Sequence, residues 1–429
     1  RSRRIRLMVD DERGPGDRPA LSRCVAISHA EFAVANWARA PLFTRAADLG
    51  GDFSDLFGPD AVDELVADRA LRTPFARMAK EGDVLPPSRY TSGGGFGAEI
   101  GDQVSGDRVL AELAAGATLV LQGLHRTWEP IARFARALSA ELGHPCQVNA
   151  YITPASSRGF DPHYDVHDVF VLQIAGEKHW RIHAPVHPDP LRGQPWTDHR
   201  TAVAARAQEP PAIDETFRPG DALYLPRGWI HSATALGALS IHLTVGVAAY
   251  TRTDIVEEAV SRTADIPELR ASLPLGFDPA DEPALTREVE AALDALRTAL
   301  DDPARRAGVA AAVGERLRAR RRRDSPPAPV RPLTTVDAVA ALDGRTVIGA
   351  RPGLRPAITT EVETVTVRLP DRTIAFPIAA REAVARLLDP GSEHDGPLAV
   401  AQLPGLDPES AVVVARRLLR EGVVVVAER

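Results

Sequence analysis

Between residues 117 and 250 the apolar positions come in short runs cut by glycine and proline: ATLVLQ, VNAYITP, DVFVLQI, KHWRIHAP, DALYLP and SIHLTVGV. Runs of this kind, rich in β-branched residues and bounded by turn formers, read as strands, and their number and spacing suggest a double-sheet jelly roll with a mouth where a ligand can sit. Along SIHLTVG the alternation of period two places Ser240, His242, Thr244 and Gly246 on one face and Ile241, Leu243 and Val245 on the other. The period changes on either side of this region. ISHAEFAVANW predicts a helix capped by Ser28, with Glu31 completing a capping box, and WEPIARFARALSAELG an amphipathic helix stopped by Gly143. TSGGGFG, with no phosphate-loop lysine, reads as a flexible loop. Residues 1–20 lack periodicity and read as a mobile tail.

After Tyr250, ALTREVEAALDALRTAL carries Leu285, Val289, Leu293, Leu296 and Leu300 on one helical stripe, and a second helix carries Val309, Val313 and Leu317 before the basic run Arg318–Arg323. Two such stripes need cover, either from the β domain or from a second copy. DSPPAPVRP reads as a linker. Beyond it REAVARLLD, then DPESAVVVARRLLREG with Asp407 as N-cap, then VVVVAE follow the helix-helix-strand order of a winged-helix module. The basic run reads as a solvated helix end, where cations are favoured, rather than as a nucleic-acid contact.

Composition narrows the class. A chain of 429 residues holds more than one domain, and 44% hydrophobic with 25% charged residues excludes wholesale disorder. A net charge of -7 argues against a nucleic-acid-coating surface. Cys24 and Cys146 are too few for a disulfide framework, which suits a reducing cytoplasm, and no run is long enough to span a bilayer. Lysine occurs only at Lys80 and Lys178, and asparagine only at Asn36 and Asn149. In a chain where arginine takes most cationic positions, a lysine suggests a site that wants a compact ammonium.

The candidate chemistry lies in NAYITPASSRGFDPHYDVHDVFVLQIAGEKHW. His163 and Asp165, two apart in an extended segment, share a face about 6.6 Å apart along the strand. Alone the pair is weak. PGDALYLPRGWIH supplies a distant partner, His231, just past the turn Pro226-Arg227-Gly228. Two imidazoles and one carboxylate on one face of a metal leave the opposite positions open, as in non-haem iron oxygenases. HYDVH could instead be a zinc-type i, i+4 pair, but the alternation after it is strand-like. His167, His179, His183 and His187 read as surface or sheet histidines. Lys178 is either a solvated edge lysine or a cation for a cosubstrate carboxylate. Asn149 and Tyr151 are either ordinary sheet polar groups or donors into the same pocket.

Four separated blocks, NAYITP, HYDVHDVFVLQIAGEKHW, PGDALYLPRGWIH and SIHLTVG, in this order closely resemble the JmjC-type ribosomal oxygenases, a branch of the cupin superfamily. The resemblance spans about Leu21 to Tyr250. It implies an α+β fold: N-terminal helices and a jelly roll over 21–255, a helical dimerisation segment over 256–325, and a linker with a winged-helix-like domain over 326–429. By position it implies Fe(II) on His163, Asp165 and His231, and 2-oxoglutarate on Lys178, with Asn149, Tyr151, His242 and Thr244 lining the pocket and O2 as the second cosubstrate. Where animal members carry a serine at the end of the HLT strand this chain has Gly246, so one cosubstrate hydrogen bond is missing unless water or Thr244 replaces it. The implied activity is hydroxylation of an Arg or His type side chain in a ribosomal or other protein, with a homodimer and no DNA contact. A hydroxylase of a natural-product peptide or small molecule, and a non-catalytic cupin/winged-helix binding protein, are the alternatives.

Overall fold

The computed structural model describes residues 19–97, 99–155, 157, 161–389 and 396–427; most of the expected tail lies outside them. The chain divides into two compact units, residues 1–249 and 250–429. In the first, β1 (Leu42–Thr44), β2 (Ala76–Lys80), β3 (Asp83–Val84), β4 (Thr118–Leu121), β5 (Cys146–Thr153), β6 (Asp168–His183), β7 (Ile213–Phe217), β8 (Ala222–Leu225) and β9 (Ile230–Val247) form a nine-stranded sheet. Its order is β1-β8-β6-β9-β5-β4-β2-β3, with β7 on the free part of β6, and every pairing is antiparallel.

Two strands are longer than the sequence pattern predicts. DVFVLQI and KHWRIHAP are one strand, β6, that bends without ending at Gly176 (φ 64°). A Cβ there would sit 2.2 Å from the Leu239 carbonyl oxygen, so only glycine fits. Its partner β9 runs through the expected SIHLTVGV and back to Ile230, with its register slipping between Leu236 and Ile241. The far halves of both strands thus pair with each other, and that of β6 also with β7, giving the jelly-roll-like wrap.

Strand alternation sorts the residues. Met78, Leu119, Leu121, Ala150, Ile152, Ile241, Leu243 and Val245 join the N-terminal Phe32, Phe53 and Phe57 in one core. Val169, Val171, Trp180, Ile182, Phe217, Leu223 and Leu225 form a second one. Each fully buried Val, Leu, Ile, Met or Phe side chain among them contributes about 1.5–3 kcal/mol. Helix α1 (Glu129–Leu142) buries Ile131, Phe134, Ala135 and Leu138 and ends at Gly143 (φ 76°). The helix expected from Ser28 is a single α-turn over His29–Glu31, with Ser28 accepting from the Glu31 amide, followed by a π-turn over Phe32–Asn36. Asn36 closes it by donating to the Ala40 and Pro41 carbonyls.

In the second unit α2 (Arg252–Ser261), α3 (Glu282–Asp301) and α4 (Pro303–Asp324) precede two three-stranded sheets and the helices Arg381–Leu388 and Pro408–Arg420, the last capped by Asp407. The basic run is engaged within the unit: Arg320 pairs with Asp254, and Arg318 and Arg322 with Glu315. The expected linker is anchored as well, since the Ala328 amide donates to the Pro352 carbonyl. Leu285, Val289 and Leu293 on α3 are 40%, 48% and 54% exposed, an apolar stripe without cover among the described residues.

Candidate active site

The triad is assembled by one reciprocal backbone bridge. The His163 amide donates to the His231 carbonyl at 3.2 Å, and the His231 amide to the His163 carbonyl at 2.8 Å. Between the two expected ligands Tyr164 turns the other way, into a small core with Val203 and Ile230, which holds His163 and Asp165 on the opposite side. The turn Pro226-Arg227-Gly228 fixes Asp165 from below, the Gly228 amide donating to its carbonyl at 3.0 Å. Buried Asp168 accepts from the Arg227 amide at 2.9 Å and the Tyr224 hydroxyl at 3.2 Å, tying that turn to the start of β6.

One donor atom from each of His163, Asp165 and His231 can be chosen so that all lie within 4.8 Å of one another. Both imidazoles are oriented from behind: Nδ1 of His163 lies 2.7 Å from the Asp161 carbonyl, and Nδ1 of His231 lies 3.1 Å from the Trp229 carbonyl. A carbonyl can only accept, so each Nδ1 carries a proton and Nε2 is the ring nitrogen left to bind a metal. Burial, with His163 beside it, holds His231 below the usual imidazole range, so it is neutral at physiological pH. Burial pushes the Asp165 carboxyl up, but His167, His231, His163 and Arg77 together hold it below the usual range, hence ionised. Two imidazoles and one carboxylate, facing one another across one small space, are a donor set that fits a divalent first-row metal.

A different environment lies deeper along the same strands. Tyr151 and His242 pair across β5 and β9 and stack with centroids 4.9 Å apart. Lys178 is 3% exposed, so it is no solvated edge lysine. Its Nζ lies 3.3 Å from Thr153 Oγ1 and 3.5 Å from His242 Nδ1, and among the described residues no carboxylate pairs with it. Burial pushes its pKa down to about 7. Burial, Lys178 and His231 keep His242 neutral. The Trp180 indole N–H, packed edge-on to His242, is buried with no acceptor among the described residues. An ammonium and an indole donor buried without an anion form a site for one.

The remaining expected residues bridge these ends. Asn149 accepts from the Gly123 amide at 3.0 Å and hydrogen-bonds the Tyr151 hydroxyl. Thr244 faces Asn149 across the strand pair. Gly246 lies under His167 and Gln147, whose side-chain nitrogens are 3.3 Å apart; a Cβ at Gly246 would be 3.0 Å from His167 Nε2. Of the other histidines, His179 pairs with Asp214, His187 stacks on His199, and His183 is buried. The sequence pattern did not single out Arg77, on β2, which hydrogen-bonds the Tyr151 hydroxyl, or Trp196, 6.3 Å from His163 between ring centroids. A cavity of about 540 Å³ in the second unit, walled by the Arg305–Asp265 pair, is lined by no histidine.

Residues 124–255 match the family model for the JmjC domain. The chain thus carries a JmjC domain, the domain of a family of 2-oxoglutarate-dependent oxygenases, complete with its histidine-x-aspartate and distant histidine. Its curated relatives include ribosomal oxygenases. Ribosomal oxygenase 1 of Gallus gallus is 31% identical over 226 residues, 50% of this chain and 34% of that protein. Ribosomal oxygenase 2 of Mus musculus is 37% identical over 132 residues, 30% of this chain and 27% of that one. The bifunctional lysine-specific demethylase and histidyl-hydroxylase NO66 of Drosophila persimilis is 39% identical over 140 residues, 30% of this chain and 19% of that one. The matched part therefore spans about a fifth to a third of these relatives. A crystal structure of Escherichia coli ribosomal oxygenase YcfD is 18% identical, with a TM-score of 0.48 over 94% of this chain and 98% of that one.

Proposed function

We propose that this protein is an Fe(II)- and 2-oxoglutarate-dependent oxygenase that hydroxylates an amino-acid side chain, of the arginine or histidine type, in a ribosomal or other protein. The observation that carries this is the pair of imidazoles whose Nδ1 atoms are bound to backbone carbonyls, leaving each Nε2 as the nitrogen that can join Asp165 in holding a metal.

His163, Asp165 and His231 would hold the ferrous ion. Bound there, iron couples decarboxylation of 2-oxoglutarate to reduction of O2, so that a C–H bond becomes C–OH while succinate and CO2 leave. Lys178 takes the far carboxylate of 2-oxoglutarate, acquiring a proton as the anion arrives, and the Trp180 indole donates beside it. Tyr151 and Asn149 hydrogen-bond to each other along one wall, and His242, neutral beside Lys178, can accept but adds no charge. Thr244 lies between that wall and Gly246. Val169, Val171 and Leu223 keep water from the floor.

The exposed stripe on α3 supports a homodimer through the helices of 256–325, and the C-terminal helices and sheets a winged-helix-like module that does not bind nucleic acid. No helix among the described residues is long and apolar enough to cross a membrane.

The test is succinate formation by purified protein given Fe(II), 2-oxoglutarate and O2, together with the visible absorption of the anaerobic Fe(II)–2-oxoglutarate complex. Both should vanish in His163→Ala; succinate formation that survives this change removes the ligand assignment.

A further inference from the structure

The triad is built around a gap in a β-ladder. β8 and β6 pair from Ala222 opposite Leu172 to Leu225 opposite Val169. Six residues before Val169 stands His163, six after Leu225 stands His231, and these two pair again in the same register. Between them 164–168 and 226–230 lie opposite each other without regular pairing. A ladder continued in register would set Trp229 opposite Asp165 and turn its indole to the metal face. Instead Trp229 packs on the second core, and its carbonyl faces Nδ1 of His231. An open gap is thus a condition for the triad.

One side chain takes the place of a missing rung. Since His163 and His231 exchange both backbone hydrogen bonds, the alternation of an antiparallel ladder would give the Arg227 amide to the His167 carbonyl. It goes instead to Oδ1 of Asp168, at 2.9 Å. That carboxyl is fully buried, and its Oδ2 accepts from the Tyr224 hydroxyl at 3.2 Å. The hydroxyl in turn accepts from the Ala38 amide at 2.9 Å, so a third segment of chain fixes the carboxyl. Shifted in this way, the turn gives the Gly228 amide, not that of Trp229, to the Asp165 carbonyl at 3.0 Å. Gly228 (φ 86°) also lets the turn lie against the loop after β6, where a Cβ would sit 2.7 Å from the His187 carbonyl oxygen.

Resting on the metal-centre reading above, we propose that Asp168 is a positioning residue for the metal. Its carboxyl replaces the missing rung, keeps the gap open against Trp229, and so sets Asp165 against the two imidazoles. It acts through the backbone of the Pro226-Arg227-Gly228 turn, and what it controls is the geometry of the donor set.

The test uses the full chain and Co(II), read by calorimetry and by the visible absorption of the bound ion. Asp168→Leu keeps the shape of the side chain and deletes both acceptors. Co(II) affinity should fall about tenfold or more, as on loss of an outer partner, and the Co(II) spectrum should change. In the metal-free protein, hydrogen exchange over 163–169 and 225–231 should quicken. Asp168→Asn keeps an oxygen for the Arg227 amide and should bind Co(II) within about twofold of wild type. Tyr224→Phe frees Oδ2 and should weaken Co(II) about fivefold, the effect of one hydrogen bond; this variant carries the test if Asp168→Leu does not fold. Leu138→Ala, in the core under α1, should lower the melting temperature while leaving Co(II) affinity and spectrum unchanged. Unchanged affinity and spectrum in Asp168→Leu, no rescue by Asp168→Asn, or equal weakening by Leu138→Ala overturns the proposal. Failure of the wild type to bind Co(II) would instead sink the metal-centre reading.

Discussion

The two ends of this pocket solve opposite electrostatic problems with the same residue type. At the triad, His163 and His231 are aimed by backbone carbonyls and burial keeps His231 neutral, so that the two imidazoles and the Asp165 carboxylate favour a cation. At the deep end, His242 is neutral as well, but its neighbour is Lys178, buried with no counter-ion among the described residues, which favours an anion. Histidine therefore does not define the site; the charge beside it does. A ligand that fits both ends needs a metal-binding head and an anionic tail, as a 2-oxo dicarboxylate has.

The largest effect should come from breaking the cationic preference of the triad. Asp165→Ala removes its one negative charge, and Co(II) affinity measured by calorimetry should fall by more than about 100-fold, beyond what loss of an outer partner costs. The side chain is a third exposed, so the melting temperature of the metal-free protein should hardly move. Co(II) affinity within several-fold of wild type would show that the two imidazoles are not working with this carboxylate.

Next in size is the deep end. Lys178→Met should weaken 2-oxoglutarate binding by about 30-fold or more, because truncating one partner of a buried charge pair strands the other, while Co(II) affinity stays put. The sign of the pH effect follows from burial, which takes Lys178 from 10.5 down to about 7. Between those values the unfolded chain holds a proton the folded chain has released, so the ligand-free protein should gain stability as pH rises from 7 toward 10, a slope absent in Lys178→Met. An anion arriving at pH 8 restores the charge, and 2-oxoglutarate binding should take up a proton there. Calorimetry in buffers of different ionisation enthalpy reads this directly; no uptake means Lys178 is not the partner.

The two ends were not equally legible in the sequence. The triad announces itself locally: His163, Tyr164 and Asp165 alternate, and His231 follows a turn signature. Lys178 drew attention through the scarcity of lysine, yet scarcity carries little alone, since Lys80 only ends β2 and Asn36 only closes a π-turn. The long bent strands were hidden because a glycine between two apolar runs reads as a turn; that the chain passes straight through Gly176 depends on Leu239, more than sixty residues away. Arg77 was missed for the same reason. Its sole local mark is one charged residue between the buried Ala76 and Met78, and its place beside Tyr151 arises only when β2, β4 and β5 pair. The π-turn at Phe32–Asn36 likewise follows no local periodicity.

The smallest expected effect tests where the boundary between the two ends lies. From sequence, Gly246 looked like a lost hydrogen bond to the cosubstrate. Its surroundings place it elsewhere: the space a side chain would take is held by His167 and Gln147, and Thr244, not Gly246, lies next to Asn149. A serine at Gly246 would press on His167 Nε2 at 3.0 Å and on the Gln147 side chain at 3.2 Å, contacts that side-chain rotation can relieve. Gly246→Ser should therefore cost under about 1 kcal/mol of stability, typical of a change that side-chain shifts absorb. It should leave 2-oxoglutarate affinity within about twofold, since no charge near Lys178 changes, while the imidazole NMR signals of His167 move. A large gain in 2-oxoglutarate affinity would place Gly246 at the anion-binding end, and the division between a cation-seeking rim and an anion-seeking floor would have to be redrawn one strand position further out.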